Sequence, residues 1–139
     1  MTARKLSPAQ LRRIQKAIAT VPFAHLLGIE VEEVASGTAT LSLEIRNELK
    51  QNHGVVHGGA VASLIDTATA FAIITQLKPE ERVSTVDLTI SYLRPLSEGH
   101  VKAVARVLRA GRRLFVVSAE VFGDDEKLAA TALSTYLKL

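Results

Sequence analysis

The stretch QNHGVVHGGAVASLIDTATAFA, residues 51–72, begins the longest helix that the sequence predicts. From Gly58 to Leu77 the residues are small or apolar on nearly every side of a helical projection, and Asp66 is the one charged residue. This pattern predicts a helix that is buried on most of its faces. Such a helix decides the fold, because the rest of the chain must cover it.

The same segment has about the length of a membrane span, which raises that alternative. Asp66 lies near its centre, with Ser63, Thr67 and Thr69 close by. A carboxylate in the middle of a bilayer is costly. We therefore expect a buried helix of a soluble protein that has no membrane partner.

Composition limits the class of protein. The chain has 139 residues, 47% of them hydrophobic and 22% charged, which fits one globular domain spanning residues 1–139. There is no cysteine, which excludes disulfides and thiolate catalysis and is compatible with a reducing cytoplasm, the location that we expect. The net charge of +3 comes from scattered bases without aromatic clusters, so we expect no nucleic-acid partner.

The segments around the long helix predict an antiparallel sheet. Ser7 and Pro8 predict the start of a short helix within the N-terminal segment 1–20. Residues 29–45 have the pattern of a hairpin, the chain alternates with period two after residue 82, and Gly111 indicates a second hairpin. This order predicts an α+β fold in which one long helix covers one face of the sheet.

Asp66 is the first candidate for chemistry. The residues one helical turn away are small and include no base, namely Ala62, Ser63, Thr69 and Ala70. A carboxylate in such surroundings either faces water or serves a site that other groups can approach closely. The residues alone leave both possibilities open.

His57, Gly58 and Gly59 stand at the predicted start of the helix. The free N–H groups and the dipole at a helix start favour negative charge, and glycines let a ligand come close to them. Such N–H groups can bind a phosphate or stabilise the oxyanion that forms from a carbonyl. The glycine pair can equally serve only a tight turn.

The spacing of these two features has a consequence for assembly. Asp66 follows Gly58 by eight residues, which places it roughly 12 Å further along the helix. A reacting carbonyl must lie about 3 Å from both its polarising group and its nucleophile or base. One helix cannot supply both, whereas two antiparallel helices related by a two-fold axis can. If both features are catalytic, the protein is a homodimer with two composite sites.

The whole motif resembles the signature of the PaaI-like hotdog-fold thioesterases, the acyl-CoA hydrolases of the phenylacetate-degradation type. Their pattern is Gln or Asn, then G-x-x-H-G-G, then an acidic residue nine positions after the histidine, matched here by Gln51, Gly54, His57, Gly58, Gly59 and Asp66. The resemblance implies a hotdog fold, in which five to six antiparallel strands wrap around one long central helix. It also implies a homodimer, commonly paired into a homotetramer.

The resemblance also implies roles for single residues. The N–H of Gly58 binds the thioester carbonyl, and Asp66 of the partner chain attacks that carbonyl or activates a water. Gln51 and His57 orient the carbonyl, the water or the loop. Further substrate contacts are expected at Gly59, Gly54, Asn52, Ser84 and Thr69.

Some family members hold the water with a Ser or Thr on the strand after the helix. Counting back from SYLRP selects Thr85, whereas counting forward from Asp66 selects Ser84. We favour Thr85, because loop length varies more than strand register. Strict alternation along this strand predicts that Thr85 and Leu88 lie on opposite faces of the sheet.

Coenzyme A is part of the expected substrate, and neither a metal nor a further cofactor is expected. Arg112 and Arg113 follow the hairpin glycine and could bind the phosphates of coenzyme A, although solvated turn charges fit equally well. His53 and His57 straddle a junction between loop and helix, which argues against metal ligation.

The leading hypothesis is hydrolysis of an acyl-CoA with an aromatic or a medium- to long-chain aliphatic acyl group. One alternative is a hotdog protein that binds acyl-CoA without turnover, although a pure binder would not need Asp66. Another is a hydratase or dehydratase on the same fold, whose histidine-and-acid motif this sequence lacks. The acyl pocket is expected to be walled by Ala62, Ala70, Ile73 and Ile74.

Overall fold

The computed structural model describes residues 3–139, so residues 1 and 2 of the predicted domain and N-terminal segment lie outside the described part. Six strands form one sheet: β1 (Glu30–Ala35), β2 (Thr38–Glu44), β3 (Val83–Tyr92), β4 (His100–Ala110), β5 (Leu114–Phe122) and β6 (Leu128–Lys138). Their order is β1-β2-β4-β5-β6-β3, and every neighbouring pair is antiparallel.

Within residues 3–139, three α-helices accompany the sheet: α1 (Pro8–Ala19), α2 (Pro22–Leu27) and α3 (Gly58–Ile74). Ser7 caps α1 as predicted, since its side chain accepts the N–H of Gln10. The short helix α2 was not predicted; it ends at Leu27 and is capped by Gly28, whose φ of 74° is the left-handed conformation that glycine adopts readily. None of the helices within residues 3–139 combines the length and apolarity needed to cross a membrane.

Helix α3 lies against the sheet and forms the centre of the hydrophobic core. Its side chains Leu64, Ile65 and Ala68 are fully buried, and burying one Leu or Ile contributes about 1.5–3 kcal/mol. The facing sheet supplies mostly small inward residues, including Val101, Ala103, Ala105, Val117, Ala119 and Val121. A helix covered by one antiparallel sheet of six strands confirms the hotdog fold that the resemblance implies.

The end of α3 differs from the prediction, because the helix stops at Ile74 rather than Leu77. Arg13 of α1 donates to the carbonyls of Ile74 and Leu77, at 3.2 and 2.9 Å. Thr75 accepts the N–H of Gly37 from the β1–β2 turn at 2.8 Å. The Arg13 side chain therefore satisfies the carbonyl of Ile74, which a longer helix would have paired with a main-chain N–H.

One stripe of α3 is not covered by the sheet. Residues spaced three or four apart along it are only partly buried, namely Ala62, Ser63, Asp66, Thr67 and Ala70. Strand β3 lies at the edge of the sheet beside this helix, and within residues 3–139 it pairs with β6 alone. The predicted burial of α3 is therefore correct for most faces but not for the face that carries Asp66.

Candidate active site

Asp66 lies in the middle of α3, and one of its carboxylate oxygens is held by two hydroxyl groups. Thr85 of β3 donates to Oδ1 over 2.8 Å, and Tyr136 of β6 donates to the same oxygen over 3.0 Å. No described residue donates to Oδ2. The carboxylate is thus fixed on one side, and its other oxygen stays available on the uncovered stripe of the helix.

A β-bulge in β3 brings Thr85 to this position. Thr85 pairs with Tyr136 and Asp87 pairs with Thr135, so Val86 is an extra residue without a partner in the ladder. Because of this insertion Thr85 and Leu88 both face the helix, and Val86 is 60% exposed. The prediction of strict alternation, which separated Thr85 from Leu88, is wrong at this point.

Tyr136 is the residue of the site that the sequence reasoning missed. Its side chain is only 2% exposed, and its hydroxyl lies 2.7 Å from both the main-chain oxygen of Asp66 and Oγ1 of Thr69. Burial raises the pKa of Tyr136 to about 12, and the negative charge of Asp66 adds to the rise. A buried tyrosine usually finds a hydrogen-bond partner, so its place in an alternating strand was an available signal.

At the start of α3, His57 caps the helix with its imidazole. Nδ1 of His57 accepts the N–H of Gly59 over 2.8 Å, which leaves the proton of the neutral ring on Nε2. A Cβ atom on Gly59 would lie 2.9 Å from that Nδ1, so only glycine lets the ring fit. The cap explains Gly59, and its N–H is engaged within the chain. The predicted role of Gly59 in binding substrate has no support in this geometry.

Gly58 differs from Gly59 both in its N–H and in the space available for a side chain. No described residue accepts its N–H, and a Cβ atom there would have the Tyr92 side chain as its nearest neighbour, at an ordinary contact distance of 3.4 Å. Tyr92 donates to the carbonyl of Gly58 over 2.9 Å, which holds this end of the helix against β3. No contact with a residue in the described part of the chain therefore requires glycine here, and a free N–H at a helix start suits a carbonyl ligand.

The loop before the helix is a tight turn. Gly54 has a φ of 82°, and its N–H donates to the carbonyl of Gln51 over 3.1 Å. The side-chain Oε1 of Gln51 accepts the N–H of His53, and Asn52 is exposed at the tip. The left-handed backbone accounts for Gly54, while contacts of Gln51 and Asn52 with substrate stay predictions.

A cavity of about 350 Å³ opens beside Gly58. Gln51, Tyr92 and Arg94 provide polar groups in its lining. The apolar lining comes from Val56, Val61, Leu93, Leu96, Val121, Ala129 and Ala130. Asp66 is not part of the lining, and neither are the wall residues predicted from the sequence, Ala62, Ala70, Ile73 and Ile74. The wall comes instead from the loops before α3 and after β3, with further residues from β3, β5, β6 and the first turn of α3.

The side chains of two predicted substrate-binding residues, Thr69 and Ser84, are not placed to contact a substrate beside Asp66. Thr69 is fully buried, and its hydroxyl donates to the carbonyl of Ile65 over 2.9 Å and touches Tyr136. It is therefore not available to a ligand. Ser84 precedes Thr85 in β3 and so points to the opposite face of the sheet. Of these two alternatives, Thr85 is the one that contacts Asp66.

Arg112 and Arg113 are exposed in the turn between β4 and β5, and neither forms an ion pair with a described residue. The carbonyl of Arg113 accepts the N–H of Lys138, two residues beyond Tyr136. The turn thus lies at the Asp66 end of the sheet. The predicted binding of phosphate by these arginines stays a prediction.

Comparison with known proteins places this geometry among thioesterases. Residues 53–130 match the Thioesterase superfamily. The medium/long-chain acyl-CoA thioesterase YigI of Salmonella typhimurium is 29% identical over 132 residues, which cover 84% of this chain and 85% of YigI.

Two solved structures share the fold over nearly their whole length. A thioesterase family protein of Silicibacter pomeroyi superposes with a TM-score of 0.87 and 27% identity, covering 94% of this chain and 98% of that one. A variant of the phenylacetic acid degradation protein PaaI of Thermus thermophilus gives a TM-score of 0.79 and 31% identity, covering 86% and 100%.

Proposed function

The chain belongs to the thioesterase superfamily and is a thioester hydrolase, and on that premise we propose that it hydrolyses an acyl-CoA at a site shared by two subunits. One observation carries the proposal. Asp66 and the free N–H of Gly58 both lie on α3, but roughly 12 Å apart by helical rise. Neither can reach a carbonyl that is held by the other within one chain.

A second copy of the chain resolves this separation. The uncovered stripe of α3 carries small side chains such as Ala62 and Ala70, which allow another helix to come close. The free edge of β3 beside it exposes Val86 at 60% and Tyr92 at 53%, an apolar edge that another strand can cover. An antiparallel arrangement about a two-fold axis would place Asp66 of each subunit opposite Gly58 of the other. We propose this homodimer as the active unit, with a homotetramer as a pair of such dimers.

The proposed chemistry begins with the carbonyl of the thioester. The N–H of Gly58 and the positive end of the helix dipole stabilise the oxyanion as the carbonyl carbon is attacked. Asp66 either attacks that carbon, forming an anhydride that water then cleaves, or takes a proton from the water that attacks. In both routes the C–S bond breaks and coenzyme A leaves as the thiolate. Water is the only co-reactant, so the proposal includes no cofactor or metal.

The cavity beside Gly58 is proposed to hold the acyl group. Its apolar lining and its volume of about 350 Å³ suit a hydrocarbon, since about 150 Å³ is enough to hold benzene. YigI is named for medium- and long-chain acyl-CoA, and PaaI for phenylacetic acid degradation. We therefore propose an aromatic or a medium- to long-chain aliphatic acyl group, with Gln51 and His57 orienting the carbonyl or the water.

The phosphates of coenzyme A are proposed to contact Arg112 and Arg113. These side chains are exposed at the Asp66 end of the sheet, where the nucleotide part of the substrate would extend away from the cavity. Guanidinium groups bind phosphate oxygens with paired hydrogen bonds. We also propose a cytoplasmic location, which the absence of cysteine favours.

The test is thiol release from a panel of aromatic and aliphatic acyl-CoAs by the wild type and by Asp66→Asn. We expect turnover of at least one member and a loss of about 10²-fold or more in kcat for the variant, equivalent to about 2.7 kcal/mol. Asp87→Asn is the matched control, because Asp87 is an exposed carboxylate elsewhere on β3, and we expect it to keep wild-type activity.

Each other outcome has a defined meaning. Full activity in Asp66→Asn, with the variant folded, would contradict the role of the carboxylate. Binding of acyl-CoA without turnover of any panel member would favour a binding protein. Addition or loss of water at the acyl chain would favour a hydratase or dehydratase.

A further inference from the structure

We propose that Tyr136 is a positioning residue which, together with Thr85, holds Oδ1 of Asp66 so that Oδ2 is the oxygen presented to the reaction. This inference rests on the proposed function, because it explains how the carboxylate of that site is oriented. It concerns a residue outside the sequence motif, on the last strand of the sheet.

The contacts define the arrangement. Thr85 on β3 and Tyr136 on β6 are directly paired across neighbouring strands, and both donate to Oδ1, at 2.8 and 3.0 Å. The bulge at Val86 is what turns Thr85 toward the helix on this row of the sheet. Thr85 donates its proton to Oδ1, while Tyr136 shares its single proton between Oδ1 and the main-chain oxygen of Asp66, at 3.0 and 2.7 Å. Donors from two strands therefore restrict the position and the rotation of the carboxylate.

The Tyr136 hydroxyl is itself firmly placed. It lies 2.7 Å from the main-chain oxygen of Asp66 and 2.7 Å from Oγ1 of Thr69, so it is tied to the backbone and to the next turn of α3. The side chain is 2% exposed, so substrate cannot touch it. The raised pKa, about 12, keeps the phenol protonated and therefore a donor throughout the working pH range.

A carboxylate without these donors would turn more freely. The last torsion of an aspartate side chain has a broad energy profile, so its two oxygens exchange places unless hydrogen bonds distinguish them. Loss of the Tyr136 hydroxyl should therefore lower the fraction of Asp66 in the productive orientation. That defect reduces kcat and leaves the binding of substrate, which depends on the cavity and Gly58, nearly unchanged.

The kinetic test is Tyr136→Phe, which removes one oxygen and keeps the ring. We expect kcat to fall about 10-fold with KM within about twofold of wild type, the size of effect that one hydrogen bond to a charged group can have. In an Asp66→Asn background we expect no further loss from Tyr136→Phe, because the carboxylate it positions is gone. Thr85→Val, on the other strand, should show the same pattern.

A spectroscopic test does not depend on turnover or on the folding of Tyr136→Phe. The sequence has two tyrosines and no tryptophan, so Tyr136 is the only tyrosine in a Tyr92→Phe background. The neighbours of Tyr136 on the elements packed against it are Asp66 and Thr69 of α3, Thr85 of β3 and Phe115 of β5. Asp66 is the charged residue in this set. Phenolate absorbance should appear at lower pH when Asp66→Asn is added, because the charge that opposes ionisation is lost.

The outcomes separate this inference from the proposed function. If the wild type turns over no acyl-CoA, the proposed function fails, while the titration still reports whether Tyr136 senses Asp66. If the wild type is active and Asp66→Asn is not, but Tyr136→Phe keeps full kcat, the positioning role is overturned. An identical phenolate titration with and without Asp66→Asn would overturn it as well.

Discussion

The two functional parts of α3 differ in how far the chain completes them by itself. At Asp66, hydroxyl groups from two strands hold one carboxylate oxygen. At Gly58, the N–H has no acceptor within the described residues, although Tyr92 holds the carbonyl of the same residue. A carboxylate that attacks a carbonyl or takes a proton from water must be kept in one orientation, whereas an N–H that binds a carbonyl must stay free for its ligand. The contrast is what the proposed roles require, with Asp66 acting on the substrate and Gly58 binding its carbonyl.

The largest effect on activity is expected from a substitution that removes the free N–H of Gly58. Proline lacks the N–H but suits the first position of a helix, and His57 before it already has the extended backbone that proline requires. We expect Gly58→Pro to lower kcat by about 10²–10³-fold, as the loss of one oxyanion donor does elsewhere. The measurement is the rate of thiol release by the wild type and by Gly58→Pro, with the acyl-CoA that the wild type hydrolyses fastest.

Gly58→Ala is the matched control for that substitution. It keeps the N–H, and its Cβ atom would lie 3.4 Å from the Tyr92 ring, an ordinary contact. We expect it to lose much less activity than Gly58→Pro. Equal losses in the two variants would mean that space at Gly58, rather than its N–H, matters to the reaction.

The Asp66 part can be probed through stability at high pH. The pKa of Tyr136 is about 12 in the folded chain and near 10 in an unfolded one, so only the unfolded state loses the proton between these values. The buried phenol therefore makes its full contribution to the free energy of unfolding below pH 10. As the pH rises toward 12 this contribution is lost, and the free energy of unfolding falls by up to about 2.7 kcal/mol. We expect urea unfolding to show this decline in the wild type but not in Tyr136→Phe.

The informative quantity is the difference in unfolding free energy between the wild type and Tyr136→Phe, because lysines also titrate between pH 10 and 12 and affect both proteins. A parallel decline of wild type and Tyr136→Phe would show that the phenol is not buried as described. A steeper fall of the unfolding free energy in Tyr136→Phe than in the wild type would also contradict the prediction.

Much of the fold was predictable because local signals and burial agree. The Ser7 cap, the two hairpin turns and the existence of the long helix with its single charge each have a local cause, and all are confirmed. The short helix α2 was missed, because its six residues, which begin with Pro22, are too few to show a helical period. The interpretation of residues 1–139 as one domain stays a prediction.

The site was predictable only in part, because its geometry depends on contacts between distant residues. The motif predicts that Asp66 and Gly58 share one helix, and helical rise then separates them. The bulge at Val86 depends on the pairing of β3 with β6, so strict alternation could not reveal it. Tyr136 lies 70 residues beyond Asp66, and only the folded sheet brings the two together. The roles of the predicted site residues in catalysis stay predictions.

The most direct test of the shared site combines two inactive variants in one dimer. Asp66→Asn and Gly58→Pro subunits would carry different affinity tags, be refolded together, and be purified through both tags. If each site takes Asp66 from one subunit and Gly58 from the other, the mixed dimer keeps one intact site of two. It should then show about half of the wild-type activity per dimer. If each chain contained a complete site, both would be damaged, and the mixed dimer would be no more active than either variant alone.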